Sequence, residues 1–104
     1  MKVQTKDEVI KKLQAHIKEI EDFGIEKFGI FGSFVRNENI TDESDVDILV
    51  SFQPGCKTFD NFMGLLFFLE NLLDRSVDLI TVESLSPYIG PKILTEVEYV
   101  LLGY

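Results

Sequence analysis

The stretch GIFGSFVRNENITDESDVDILVSF, residues 29–52, decides how this chain folds. It opens on the end of one apolar run, pauses at Gly32 and Ser33, crosses a polar segment, and closes on a second apolar run carrying Asp45 and Asp47. The first run, IEKFGIF at residues 25–31, is too short for an independent helix and mixes aromatic with β-branched residues, so it reads as a strand. The second, DVDILVSF at residues 45–52, alternates with the period of two that marks a strand with one buried face. Successive strand side chains point to opposite faces, which puts Asp45 and Asp47 on one face and Val46, Ile48 and Val50 on the other. Aspartate is disfavoured in strands and neighbouring carboxylates repel, so the pair destabilises the fold unless a cation sits between them.

Working outward, residues 5–22 place Val9, Ile10, Leu13, Ile17 and Ile20 at helical spacing, with Thr5 and Glu8 as a capping box and Gly24 as the stop. NENITDES between the two runs reads as a loop. After the turn QPGCKT, FDNFMGLLFFLENLLDR sets Phe59, Phe62, Leu66, Leu69 and Leu73 on one helical face. Its further Leu65, Phe67 and Phe68 make that helix apolar nearly all round, as a buried core element or a partner surface would be. SVDLIT at residues 76–81 reads as a third strand, and Pro91 suits the first turn of a last helix running to about Tyr99. The order predicts an α+β fold, an α/β sandwich built on a small mixed β-sheet flanked by helices.

The chain has 104 residues, 45% hydrophobic and 27% charged, enough for one compact domain over residues 1–104. With one cysteine, Cys56, and one histidine, His16, it offers no internal disulfide and no zinc or thiol site, so a metal would be bound through oxygen. A net charge of −8 argues against direct binding of nucleic acid, which needs Lys and Arg on phosphates. It leaves phosphate chemistry open, because a bound divalent cation reverses the local field. Nothing resembles a signal peptide or a membrane span, and the expected location is the cytoplasm.

The aspartates and the Gly-Ser pair fit together chemically. Mg²⁺ takes oxygen ligands and keeps waters and substrate phosphates in its shell, so two carboxylates are an appropriate protein contribution. A two-metal site wants a third, and Asp78, alternating with Val77 and Leu79, is the candidate; its bland alternative is a solvated residue on an edge strand. Gly32 would let a phosphate approach the backbone, and a short helix starting at Ser33 would offer free N–H groups and the Ser33 hydroxyl. Arg36 could reach a phosphate tail, or equally pair on the surface with Glu38 or Asp42. His16, Lys57 and Cys56 read as ordinary helix and turn residues.

GSFVRNENITDESDVDILV resembles the Gly-Ser, long gap, Asp-x-Asp signature of the DNA polymerase beta-like nucleotidyltransferase superfamily. The gap, residues 34–44, is one residue longer than that family's usual spacing, and Asn37 stands where glycine is common. With VDLIT followed by a proline-bearing turn and a short last helix, the chain is similar to the minimal nucleotidyltransferase (MNT) antitoxins. That resemblance implies an enzyme using ATP and Mg²⁺, in two ions, to transfer AMP to a tyrosine of a HEPN-domain toxin. It also implies phosphate binding by Gly32 and Ser33, metal binding by Asp45 and Asp47, and activation of the acceptor hydroxyl by Asp78. The competing expectation is a catalytically silent binding module that neutralises its partner by contact.

Overall fold

The computed structural model describes residues 2–100. Helix α1, Lys6–Ala15, starts where the capping pattern requires: the Thr5 hydroxyl oxygen accepts the Glu8 backbone N–H at 3.2 Å. Its buried side chains are Val9 and Leu13. The single helix expected over residues 5–22 is in fact two, because His16 leaves the helical region (φ −121°, ψ 28°) and α2 restarts at Ile17–Glu21. The break lets the His16 ring stand edge-on to Phe68, centroids 6.1 Å apart, with Nδ1 2.6 Å from the Glu19 carboxylate. Gly24, at φ 81°, then turns the chain into the sheet, as a helix-ending glycine should.

Four strands follow: β1 Ile25–Phe31, β2 Val46–Phe52, β3 Val77–Thr81 and β4 Glu98–Val100, arranged β3-β2-β1-β4. β1 runs antiparallel to both β2 and β4, whereas β2 and β3 are parallel. A parallel pair needs a crossover, and α4, Phe59–Leu73, supplies it. α3, the single turn Ser33–Arg36, leaves the end of β1 where a short helix was expected. The sheet is mixed and flanked by helices, an α+β fold as the element order predicts.

Of the boundaries that differ from the sequence reading, two bear on the site. β2 begins at Val46, one residue after Asp45, because its pairing with β3 starts at Val46 opposite Val77. The last helix, α5, covers only Gly90–Glu96; Val97 turns extended (φ −62°, ψ 134°) and Glu98–Val100 pairs with Phe28, Gly29 and Ile30 of β1. That free edge of β1 offers backbone hydrogen bonds a further helical turn could not, so tertiary pairing overrides a three-residue local preference.

One face of the sheet packs Phe28, Ile30, Val46, Ile48 and Val50 against Val9, Leu13 and Ile20 of the N-terminal helices and Leu65, Leu69 and Leu73 of α4. The apolar face of α4 therefore runs through Leu65, while Phe59, expected on it, is 77% exposed. The other face is smaller: Phe31, Leu49 and Ile93 meet Ile80, Val82, Leu85 and Val97 beneath α5. Among the described residues no helix is long and apolar enough to cross a membrane.

Candidate active site

The α5 face of the sheet carries the acidic residues. Asp47 sits on β2 between Val46 and Ile48, which are buried on the opposite face, and the parallel register sets it directly opposite Asp78 of β3. Two parallel strands in register point such residues the same way, so the third carboxylate expected from the sequence stands beside the second. Asp45, exposed and just ahead of the strand, is near enough to act on Asp47 electrostatically. Half-buried and flanked by two like charges, the Asp47 carboxyl is raised from an ordinary 3.8 to about 6. Burial is the largest cause, followed by Asp78 and then Asp45; the Arg36 guanidinium opposes them and Glu96 adds to them.

Gly32 has a part in this that the sequence did not suggest. Its φ of 76° is a left-handed conformation suited to glycine, and a Cβ there would lie 2.1 Å from Asp47 Oδ2. The glycine, one residue past the Phe31 that pairs with Asp47 across β1 and β2, thus makes room for the carboxylate itself. α3 starts on it with no side-chain cap; the Val35 and Arg36 N–H groups donate to the Gly32 carbonyl at 3.1 and 3.2 Å, which leaves those of Ser33 and Phe34 at the front of the turn, with Ser33 half-buried.

Arg36, at the end of that turn, is committed to carboxylates. Its Nη1 donates to Glu96 Oε1 and its Nε lies 3.8 Å from Glu38. The Glu38 half of the surface-pair reading is therefore present, but the closer partner is Glu96, sixty positions along the chain. No local signal marked Glu96, which looked like one more residue of the final helix. Lys57 pairs with Glu83 at 2.9 Å, and Cys56 is half-buried in its turn.

Asp45, Asp47 and Asp78 are hard oxygen donors of the kind Mg²⁺ prefers, and the charge they concentrate at Asp47 is what a divalent cation relieves. Among the described residues no three acidic, His or Cys side chains are already gathered about one point. Two carboxylates with water and phosphate suffice for Mg²⁺, so the donor set fits that ion.

Residues 7–100 match the nucleotidyltransferase domain family. The protein adenylyltransferase MntA of Thermococcus cleftensis is 43% identical over 101 residues, spanning 96% of this chain and 100% of that one. A solved structure described as a minimal nucleotidyltransferase superposes with a TM-score of 0.70 at 29% identity, over 86% of this chain and 93% of its own. A chain of the complex between tri-AMPylated Shewanella oneidensis HEPN toxin and MNT antitoxin shares the fold, with a TM-score of 0.56 at 20% identity over 86% of this chain and 72% of its own.

Proposed function

The chain is an enzyme of the nucleotidyltransferase domain family, and from its site we propose that it moves AMP from ATP onto a tyrosine hydroxyl of a HEPN-domain toxin, acting as that toxin's antitoxin. The observation that carries the reading is the in-register pair Asp47 and Asp78 with Asp45 beside them, facing the uncapped turn that begins at Gly32. In the reaction the phenolic oxygen attacks the α-phosphorus, the bond from that phosphorus to the bridging oxygen breaks, and pyrophosphate departs. The chain supplies positioning and charge, which is most of what phosphoryl-type transfer asks of a protein.

Each residue has a part. Asp45, Asp47 and Asp78 would hold Mg²⁺, in two ions, which when bound neutralises the triphosphate and stabilises the charge developing at the α-phosphate. Ser33 and the first N–H groups of α3 donate to phosphate oxygens, and Gly32 keeps that approach open. Arg36 exchanges Glu96 for the phosphate tail, an exchange its 45% exposed side chain permits. Asp78, on the edge strand β3 and exposed, takes the proton of the acceptor hydroxyl at its carboxylate oxygen. Its place of action is the cytoplasm, where ATP is at hand.

The test is the intact mass of the cognate HEPN toxin after co-expression with this chain, comparing wild type with the Asp45→Asn, Asp47→Asn double variant. The expected result is a gain of one or more AMP units that disappears in the variant. An unchanged toxin mass with a stable complex in both cases would overturn transfer and leave neutralisation by contact.

A further inference from the structure

Arg75 lies outside the acidic face, yet its bonds lead to both sides of it. The residue follows the left-handed cap of α4 at Asp74 and is 7% exposed. Asp42, Glu43, Asp45, Glu70 and Asp74 line the same cleft of about 440 Å³, but among the described residues none forms an ion pair with it. Its donors go to backbone carbonyls instead: Nε to Val3 at 2.5 Å, Nη1 to Thr41 at 2.8 Å and to Ser44 at 2.9 Å. The guanidinium also stacks 5.1 Å from the ring centre of the fully buried Phe34.

These contacts fall at chosen places. Ser44 immediately precedes Asp45, and Phe34 immediately follows Ser33. The Thr41–Ser44 turn is closed on itself by the Ser44 N–H to the Thr41 carbonyl at 3.1 Å and the Thr41 N–H to Ser44 Oγ at 2.8 Å, so Arg75 grips it as a unit. One residue on, the Val46 N–H donates to the Ser76 carbonyl at 3.0 Å, which fixes Asp45 between two tethered neighbours. From outside the loop, Lys2 Nζ adds one bond, to the Asp42 carbonyl at 2.9 Å, but Arg75 alone reaches both ends of the Thr41–Ser44 turn among the described residues.

We propose that Arg75 is a positioning residue for nucleotidyl transfer: it sets Asp45 relative to the Gly32-Ser33 turn by holding the loop ahead of one and the helix behind the other. The role rests on the reaction proposed above. A planar fork serves this because it reaches several carbonyls at once while its face covers an aromatic ring; a lysine ammonium keeps the charge and loses the fork.

The experiment compares wild type with Arg75→Lys in the full chain, with Leu69→Ala as a core-destabilised control. Amide hydrogen exchange is read without nucleotide or metal, and the Mg²⁺ concentration for half-maximal AMP transfer is read with both. Arg75→Lys is expected to speed exchange at residues 42–46 about tenfold while α4 and β1 keep wild-type rates, and to raise the Mg²⁺ requirement by about tenfold. Leu69→Ala is expected to lower the melting temperature and leave the Mg²⁺ requirement alone. Wild-type exchange in the loop of Arg75→Lys, or an equal rise in Mg²⁺ requirement for Leu69→Ala, overturns the proposal. Should Arg75→Lys fail to fold, Arg75→Gln, which keeps one amide donor, is read in the same way. A wild-type chain that transfers nothing refutes the reaction, and the exchange measurement then still decides the role of Arg75.

Discussion

Asp47→Asn should make the metal-free protein more stable while removing its activity. The fold holds the Asp47 carboxyl at about 6 against an ordinary 3.8, so the unfolded chain ionises it more readily than the folded one. Above pH 6 the ionised carboxylate destabilises the fold. Below about pH 4 both states carry the proton and the penalty vanishes. At 1.36 kcal/mol per pKa unit the ceiling is about 3 kcal/mol, and solvent reaching a half-buried group reduces it to about 1–2 kcal/mol. An asparagine of the same shape has no charge to desolvate. It should gain that amount at pH 8, a rise of about 4–8 °C in melting temperature for a domain of this size. The assay is thermal unfolding of both proteins in a chelator, at steps from pH 8 down to pH 4, with the advantage of the variant shrinking steadily toward the acid end. Adding Mg²⁺ with a non-hydrolysable ATP analogue should then stabilise the wild type and leave the variant where it was. A variant less stable than wild type at pH 8, or an advantage independent of pH, would refute the electrostatic account of this site.

Gly32→Ala should lose about 1–3 kcal/mol in urea unfolding, since it sets a Cβ on the Asp47 carboxylate at a positive φ; shortening Asp47 to alanine in the same chain should return part of that loss, and a strictly additive double variant would contradict the contact. Arg36→Ala leaves Glu96, whose side chain is only 16% exposed, without its guanidinium and should lose about 1–2 kcal/mol of stability, and it should raise the KM for ATP about tenfold or more; an unchanged KM would confine Arg36 to its pairing with Glu96 and Glu38. Leu69→Ala, at a fully buried position on α4, should lose about 2–5 kcal/mol by urea unfolding, and a loss under 1 kcal/mol would mean the core beneath α4 is not packed as described.

Much of this arrangement was legible because its elements are patterned over short distances. Val46, Ile48 and Val50 alternate with Asp47, and that alone separates a core face from a chemical face. Thr5 and Glu8 mark a helix start within four residues, and Gly32-Ser33 marks the end of a strand. What escaped was set by contacts between distant parts of the chain. The break at His16 goes with a ring contact to Phe68, fifty-two positions on, and β4 pairs along an edge that β1 leaves for it. The reason Gly32 must be glycine is an oxygen of Asp47, and the partner of Arg36 is Glu96. Arg75 looked like the polar tail of a helix because the three carbonyls it holds lie on other segments.

The acidity of the chain and its site chemistry are connected through cost. A strand aspartate beside another carboxylate, a glycine at positive φ and a buried guanidinium bonded only to carbonyls are each unfavourable or restrictive taken alone. They occur within one neighbourhood, on residues whose neighbours in the sequence obey ordinary helix and strand rules. Local violations that cluster in space while the surrounding elements remain regular are what a functional site leaves in a fold, since the regular elements must supply the stability the site forgoes. On the function proposed above, the carboxylates, the turn at Gly32 and the brace at Arg75 would be parts of one device, in which strain accepted by the protein alone would be relieved when cation and polyphosphate arrive together.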